Sequence, residues 1–313
     1  MSASDRIFVA GHNGMVGSAV VRELTRRGFT NLITAPRKEL DLRDQPAVSR
    51  FLERTTPHVV ILAAARVGGI HANNTFPADF IYENLAVQNA VIHESHVHGV
   101  RDLVFLGSSC IYPRACPQPI REEYLLSGPL EPTNEPYAIA KIAGIRMAQA
   151  YQRQYGLRVI CPMPCNLYGT NDSFDPRYSH VLSSLVKRFS DAVDAGDANV
   201  TVWGSGTPRR EFLHVDDLAR AVVLLAEKWD SPEIVNVGSG TDVTIRELAE
   251  LIAKKSGFTG TIEWDTSMPD GTPRKLLDIS RIAALGWQPE ISLERGVEMM
   301  IGEYRARAAS PRV

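Results

Sequence analysis

Ser108, Tyr137 and Lys141 are residue types that suit hydride transfer at a carbonyl. A tyrosine four residues ahead of a lysine shares a helical face with it. The spacing predicts that the ammonium lowers the phenol's pKa, so that Tyr137 serves as an acid near neutral pH. Cys110 stands two residues after Ser108, in Gly107-Ser108-Ser109-Cys110-Ile111-Tyr112-Pro113. In extended backbone that spacing turns both side chains to one side. A thiol placed there suits removal of a proton from the carbon beside the carbonyl, so the residues predict two chemistries in one pocket. A tyrosine and lysine at this spacing occur on many ordinary helices. Here they follow an apolar strand and a glycine-rich start.

That start is Gly11-His12-Asn13-Gly14-Met15-Val16-Gly17, between the first apolar run and the first amphipathic helix. Glycines at this spacing permit a tight turn and let backbone approach a pyrophosphate, which sits on the helix N-terminus. A carboxylate about 20 residues on would bind the ribose hydroxyls of NAD. Here the second strand ends in Thr34-Ala35-Pro36-Arg37-Lys38, with two cations and no acid at its tip. A guanidinium there suits a 2′-phosphate, so the expected cofactor is NADP(H) with Arg37 on the phosphate. The plainer reading of Arg37 is a solvated charge beside Glu39 and Asp41.

The elements that must position these groups alternate. Strands are expected at 6–10, 32–35, 59–63, 103–107 and 158–162, and helices at 15–27, 45–54, 79–98 and 137–155. This alternation predicts an α/β fold, a Rossmann-type doubly wound parallel sheet covered on both faces. Ligands bind at the carboxyl ends of such strands, where Gly107–Cys110 lies. Beyond Cys165 the pattern loosens. A helix is expected at 181–192, another at 217–229, and a strand at 234–237. Thr244 with Glu247 forms a capping box opening 245–256, Gly257 closes that helix, and Ser292 caps a last one toward Ala308. The expected division is a cofactor domain, 1–165 with 212–239, and a smaller, partly interleaved C-terminal substrate lobe, 166–211 with 240–313.

A chain of 313 residues, 44% hydrophobic, can bury a sizeable core, and its formal net charge of -2 argues against nucleic acid as a partner. The longest apolar run, Val59-Val60-Ile61-Leu62-Ala63-Ala64-Ala65, is too short to span a bilayer. With no basic start and apolar signal region, the expected location is cytoplasmic. Cys110, Cys116, Cys161 and Cys165 match no zinc spacing, and Cys161 and Cys165 read as buried thiols. His93, His96 and His98 lack a carboxylate or thiol to complete a metal set, so no metal is expected. His180 could merely open a helix, and Arg188 could lie on a solvated helical face. Trp203 could stack on a base or only pack, and Arg210 beside Glu211 could be a plain ion pair.

The chain resembles the GDP-L-fucose synthase family of extended short-chain dehydrogenase/reductases over nearly its whole length. The resemblance runs through Gly11–Gly17, Ala64 to Ile70, Asn73-Asn74-Thr75, Gly107–Pro113, Glu131 to Lys141, Trp203 to Pro208, Arg210 to Asp217 and Pro269 to Lys275. Glu131-Pro132-Thr133-Asn134-Glu135-Pro136-Tyr137 is the most specific part. The resemblance implies epimerisation of GDP-4-keto-6-deoxy-D-mannose at C3 and C5, followed by reduction of the C4 ketone with NADPH. It implies Ser108, Tyr137 and Lys141 as the reductase set, Cys110 as base and His180 as acid. Cofactor contacts would come from Gly11–Gly17, Arg37, Leu106, Gly107, Ser108, Ser109, Lys141, Pro164, Cys165, Asn166, Leu167 and His180. Substrate contacts would come from Arg188, Trp203, Arg210 and Asp270. Asn13 departs from relatives that carry a basic residue in the glycine loop, which leaves Arg37 more of the 2′-phosphate. The family further implies a homodimer through the helices at 79–98 and 137–155.

Two rivals stand beside this reading. One is another nucleotide-sugar epimerase or reductase; the family's dehydratases typically carry an Asp-Glu pair where this chain has Ser109-Cys110. The other is a non-catalytic NADP(H)-binding regulator, against which the intact Ser108, Tyr137 and Lys141 argue.

Overall fold

A computed structural model of the chain describes residues 1–175, 179–268 and 270–309. Residues 176–178, which lead to His180, and Pro269, at the head of the 269–275 run, lie outside the described residues.

The first half alternates as expected, with one short helix, α3, that was not expected: β1 (Ile7–Ala10), α1 (Met15–Arg26), β2 (Leu32–Ile33), α2 (Gln45–Thr55), β3 (Val59–Leu62), α3 (Ile70–Thr75), α4 (Pro77–Val97), β4 (Asp102–Phe105), α5 (Glu135–Tyr155) and β5 (Arg158–Ile160). The five strands form one parallel sheet in the order β2-β1-β3-β4-β5. This is the Rossmann-type arrangement. β1, β3 and β4 are buried along their whole length, as strands covered by helices on both faces must be. β2 is shorter than expected, ending at Ile33.

The second half holds more strands than the sequence suggests. After β6 (Pro162–Pro164) and β7 (Asn166–Tyr168) come α6 (Val181–Ala195), β8 (Asn199–Trp203), β9 (Arg209–His214), α7 (Val215–Lys228) and β10 (Val235–Val237). Then follow β11 (Asp242–Thr244), α8 (Ile245–Ser256), β12 (Thr261–Asp265), β13 (Arg274–Lys275), α9 (Ser280–Ala283) and α10 (Leu293–Ala309). The capping box at Thr244 and Glu247 forms, and Gly257 ends α8 in the left-handed region. A small sheet joins β11, β9, β13 and β7, while β8 pairs with β12. The apolar core falls into two clusters. The larger lies around β1, β3, β4, α7 and β10 and takes in Leu277, Ile282 and Trp287. The smaller lies between α6, α8, α10 and β8.

α5 carries Tyr137 and Lys141, and its seat is tight. A Cβ on Gly144 would stand 2.4 Å from Phe105 Cζ of β4 and 2.7 Å from Gln88 Oε1 of α4. The Gln88 amide donates to the Ala140 carbonyl at 2.7 Å, tying α4 to α5 at the same crossing. Helix and sheet therefore approach as closely as a hydrogen side chain allows. Gly144→Ala is expected to lower the unfolding free energy by about 1–3 kcal/mol through overpacking, read by urea denaturation. An unchanged midpoint would mean that α5 can shift without strain.

Candidate active site

The end of β4 and the second turn of α5 meet at Lys141. Its side chain is 4% exposed, and Nζ donates to the Leu106 carbonyl at 2.7 Å. It lies 4.9 Å from the Phe105 ring centroid and 5.9 Å from that of Tyr137. Burial without a carboxylate pushes the ammonium down to about 8. The same burial, reinforced by Cys110, pushes the Tyr137 phenol well above its usual value, against the pull of its bond to Ser108. The expected depression of the phenol by the lysine is thus not found. Lys141 spends its proton on a backbone carbonyl, and desolvation outweighs a cation held beneath the ring.

Ser108 and Cys110 also depart from expectation. Residues Ser109–Ile111 form a 3-10 turn rather than strand, and Ser108 caps it, its Oγ accepting from the Cys110 N–H at 3.2 Å. The two side chains therefore do not alternate along an extended chain. What brings Cys110 into the site is the turn. The half-buried thiol receives the Asn134 amide at 3.3 Å and faces Lys275 Nζ at 3.9 Å. Neither partner was singled out in the sequence, although both fall within runs that carried the family resemblance.

His180 caps the start of α6 and is exposed. Among the described residues it makes no bond to Cys110 or Tyr137. The turn after β3 positions it: a Cβ on Gly69 would lie 2.9 Å from the Ser179 carbonyl oxygen. Buried Asp172 bonds Ser183 of the same helix, and its carboxyl is raised chiefly by burial, with His180 drawing it back down.

The glycine loop fits a dinucleotide. Gly11 has φ +90°, and a Cβ there would stand 2.7 Å from the Ala64 backbone N. A Cβ on Gly17 would overlap the Gly11 carbonyl oxygen at 2.1 Å. Gly14 caps α1 with no side-chain bond, which leaves the first turn's N–H groups free for an anion. His12 Nδ1 is buried and has no hydrogen-bond partner among the described residues. Asn13 is exposed, and Met15 and Val16 are half-buried in the first turn. Leu106, Ser109, Pro164 and Cys165 are buried at the strand ends, Gly107 packs on Met163, and Asn166 donates to the Glu211 carbonyl. Leu167 is half-buried beside them, and Cys161 is buried as expected. Arg37 is 70% exposed, with Glu83 at 3.9 Å.

The substrate-side residues form two groups. Arg188 donates to the Thr201 carbonyl at 2.9 Å and lies 5.5 Å over the ring of Trp203, which is 55% exposed. Arg210 donates to the Arg209 carbonyl at 2.8 Å. Burial lowers its pKa, while the charges of Glu131, Asp270 and Cys110 oppose that, so it shares the field of the thiol. Asp270 is engaged with the 204–206 turn, accepting from the Ser205 N–H at 2.7 Å and hydroxyl at 2.8 Å. The buried Glu131 binds Thr133, Thr272 and Arg114, joining the segment before Tyr137 to the one before Lys275.

No group of three metal-ligating side chains occurs among the described residues. His93 bonds Tyr151, His96 stacks on Tyr155 at 4.1 Å, and His98 bonds Ser49.

Residues 7–238 match the profile of the NAD dependent epimerase/dehydratase family. A putative GDP-L-fucose synthase 2 of Arabidopsis thaliana is 59% identical over 97% of this chain and 93% of its own. The GDP-L-fucose synthase of Escherichia coli (strain K12) is 53% identical over 94% of this chain and 95% of its own. Among solved structures, a GDP-L-fucose synthetase from Naegleria fowleri bound to NADP superposes with TM-score 0.90 at 26% identity, covering 100% of this chain and 98% of that one.

Lys141 sets a pH signature. The unfolded ammonium keeps its proton to about 10.5, whereas the folded one releases it near 8. Between those values unfolding takes up a proton, so raising the pH stabilises the fold. Wild type is expected to gain roughly 2 kcal/mol over Lys141→Met between about pH 8 and pH 10, measured by urea unfolding at each pH. Parallel pH curves for the two proteins would show that Lys141 titrates as an ordinary lysine.

Proposed function

We infer that this chain, which belongs to the NAD dependent epimerase/dehydratase family, converts GDP-4-keto-6-deoxy-D-mannose to GDP-L-fucose. The observation that carries this is a thiol with hydrogen-bond donors two residues from a serine that bonds the half-buried Tyr137. That set suits proton abstraction beside a ketone as well as reduction of the ketone. The similarity to GDP-L-fucose synthases over nearly the full chain supports the same substrate.

NADP(H), when bound, supplies the hydride. The chain's own residues do the rest. Gly11–Gly17 and the free N–H groups of α1 cradle the pyrophosphate, and Arg37 takes the 2′-phosphate. Tyr137 and Ser108 bind the C4 oxygen. That oxygen acidifies the hydrogens on C3 and C5, because the electrons left behind delocalise into an enolate that the two hydroxyls stabilise. Inversion requires a proton to leave one face and return on the other. Cys110 takes it as base and His180 returns it as acid. Tyr137 later protonates the same oxygen as the ketone is reduced, and Lys141 beneath it assists that transfer. Arg188 and Arg210 face the diphosphate, Trp203 stacks on the guanine, and Asp270 shapes the turn that carries Trp203.

The division into a cofactor domain (1–165, 212–239) and a substrate lobe (166–211, 240–313) belongs to this proposal. So does a homodimer, supported by the outward faces of α4 and α5. There Tyr82, Val97, Ile139 and Tyr155 lie exposed, more apolar surface than two solvated helices need. Four free cysteines fit a reducing cytoplasmic location.

Purified protein with GDP-4-keto-6-deoxy-D-mannose and NADPH is expected to give GDP-L-fucose, identified by NMR, with one NADPH consumed per product. Turnover without net NADPH use would instead indicate a cofactor-neutral epimerase. Cys110→Ser is expected to abolish deuterium uptake at C3 and C5 from D₂O while NADPH still binds, and uptake at the wild-type rate would remove Cys110 as base. Arg37→Ala is expected to reduce the preference for NADPH over NADH about tenfold or more, the worth of one charge-assisted bond. An unchanged preference would place the 2′-phosphate elsewhere.

A further inference from the structure

β13 runs parallel to β9 with Arg209 opposite Arg274 and Arg210 opposite Lys275. Successive residues in a strand face opposite sides, so this register collects two cations on each face. One face is paired with carboxylates, Asp242 between the two guanidinium groups and Glu247 3.9 Å from Arg209. Arg209 Nε and Arg274 Nε bond the two oxygens of Asp242 at 2.9 and 2.5 Å. The other face is turned to the catalytic turn. Lys275 is half-buried, and among the described residues no carboxylate forms an ion pair with it. Its Nζ lies 3.9 Å from Cys110 Sγ, and Asn134 Nδ2 lies 3.3 Å from the same sulfur.

We propose that Lys275, with Asn134, holds Cys110 as a thiolate and is thereby the positioning residue that makes this thiol a base. The proposal rests on the epimerase reading above and deepens it. A neutral thiol is a feeble acceptor for a carbon-bound proton, whereas a thiolate is a competent one. In the step, the C–H bond breaks, its electron pair enters the enolate, and the proton forms an S–H bond on Cys110. Lys275 takes no part in the proton transfer and changes only the cost of the charged sulfur. Among the described residues, the other groups that face Cys110 are Ser108 on its own turn, Tyr137 from α5 and Arg210 from β9. Arg210 adds a second positive charge. Glu131 opposes it, but its carboxylate is bonded to Arg114, Thr133 and Thr272. Lys275 stands 165 residues along the chain from Cys110, so the base is completed by the strand pairing that lays β13 on β9. A lysine that served only to bind substrate phosphate would have no effect on the free thiol.

The test is alkylation of the purified full chain by iodoacetamide from pH 5.5 to 9.5, without substrate, followed by mass spectrometry of tryptic peptides. Peptide 102–114 reports Cys110, peptide 115–121 reports Cys116, and peptide 159–177, with buried Cys161 and Cys165, reports unfolding. Lys275→Met is expected to move the midpoint of the Cys110 profile up by about one pH unit and to slow alkylation at low pH about tenfold. Lys275→Arg is expected to restore most of the wild-type profile. Asn134→Ala is expected to shift it in the same direction as Lys275→Met. The proposal falls if Lys275→Met and wild type superimpose while peptide 159–177 stays protected. If Lys275→Met exposes that peptide, Asn134→Ala and Lys275→Arg decide the matter by the same midpoint. The profile needs no sugar nucleotide, so its failure leaves the epimerase reading standing. Failure of wild-type turnover, conversely, leaves the thiol profile intact.

Discussion

An ammonium inside the sheet-helix interface has to find an oxygen. Lys141 finds the Leu106 carbonyl at 2.7 Å, the first backbone acceptor past the end of β4. That bond sets the height of α5 against the strand end. Gly144 below it allows the helix to touch Phe105 and Gln88 without a Cβ between them. Once α5 is seated, Tyr137 comes to lie beside Ser108, and the turn that Ser108 caps presents Cys110. Burial has a cost, since it pushes Lys141 down to about 8. A lysine so poised can give and regain a proton near neutral pH, which a solvated one cannot.

The second constraint is β9. Its successive residues face opposite ways, and each has a different task. Arg210 faces the thiol, while Glu211 points inward. The Glu211 carboxylate is fully buried and accepts the Gly240 N–H at 2.7 Å and the Leu277 N–H at 3.0 Å. Burial raises it to about 7 despite those bonds. Through it β9 holds both the loop after β10 and the chain just beyond β13. The strand that supplies a cation to the site thus also anchors the segment that supplies Lys275.

Much of this was legible in the residues. The alternating apolar runs of the first half are long, flanked by turn formers, and buried on both faces, so period and composition agree. The glycine loop was equally plain, because the close approaches at Gly11 and Gly17 exclude any side chain. The strands β6, β7, β11 and β13 were not legible. They have two or three residues each, too short for a period, and are made by tertiary pairing rather than propensity. β8 and β12 do alternate polar and apolar residues, Asn199-Val200-Thr201-Val202-Trp203 and Thr261-Ile262-Glu263-Trp264-Asp265, but the expected elements included neither. At the site, the identities of Ser108, Cys110, Tyr137 and Lys141 stood out, yet their local geometry did not. Spacing suggested a strand where Ser108 instead caps a turn. Charge types suggested a lowered phenol pKa where desolvation dominates. Asn134 and Lys275 come to the thiol from distant elements, and no local pattern marks such a meeting.

In the proposed reaction, one oxygen-binding arrangement serves two steps in turn. Replacing Tyr137 with phenylalanine, and measuring both solvent deuterium uptake at the ring carbons and hydride transfer to C4, tests it most directly. The two rates are expected to fall together, since the enolate and the alkoxide use the same phenol. Deuterium uptake at the full rate in a variant that no longer reduces the ketone would contradict it.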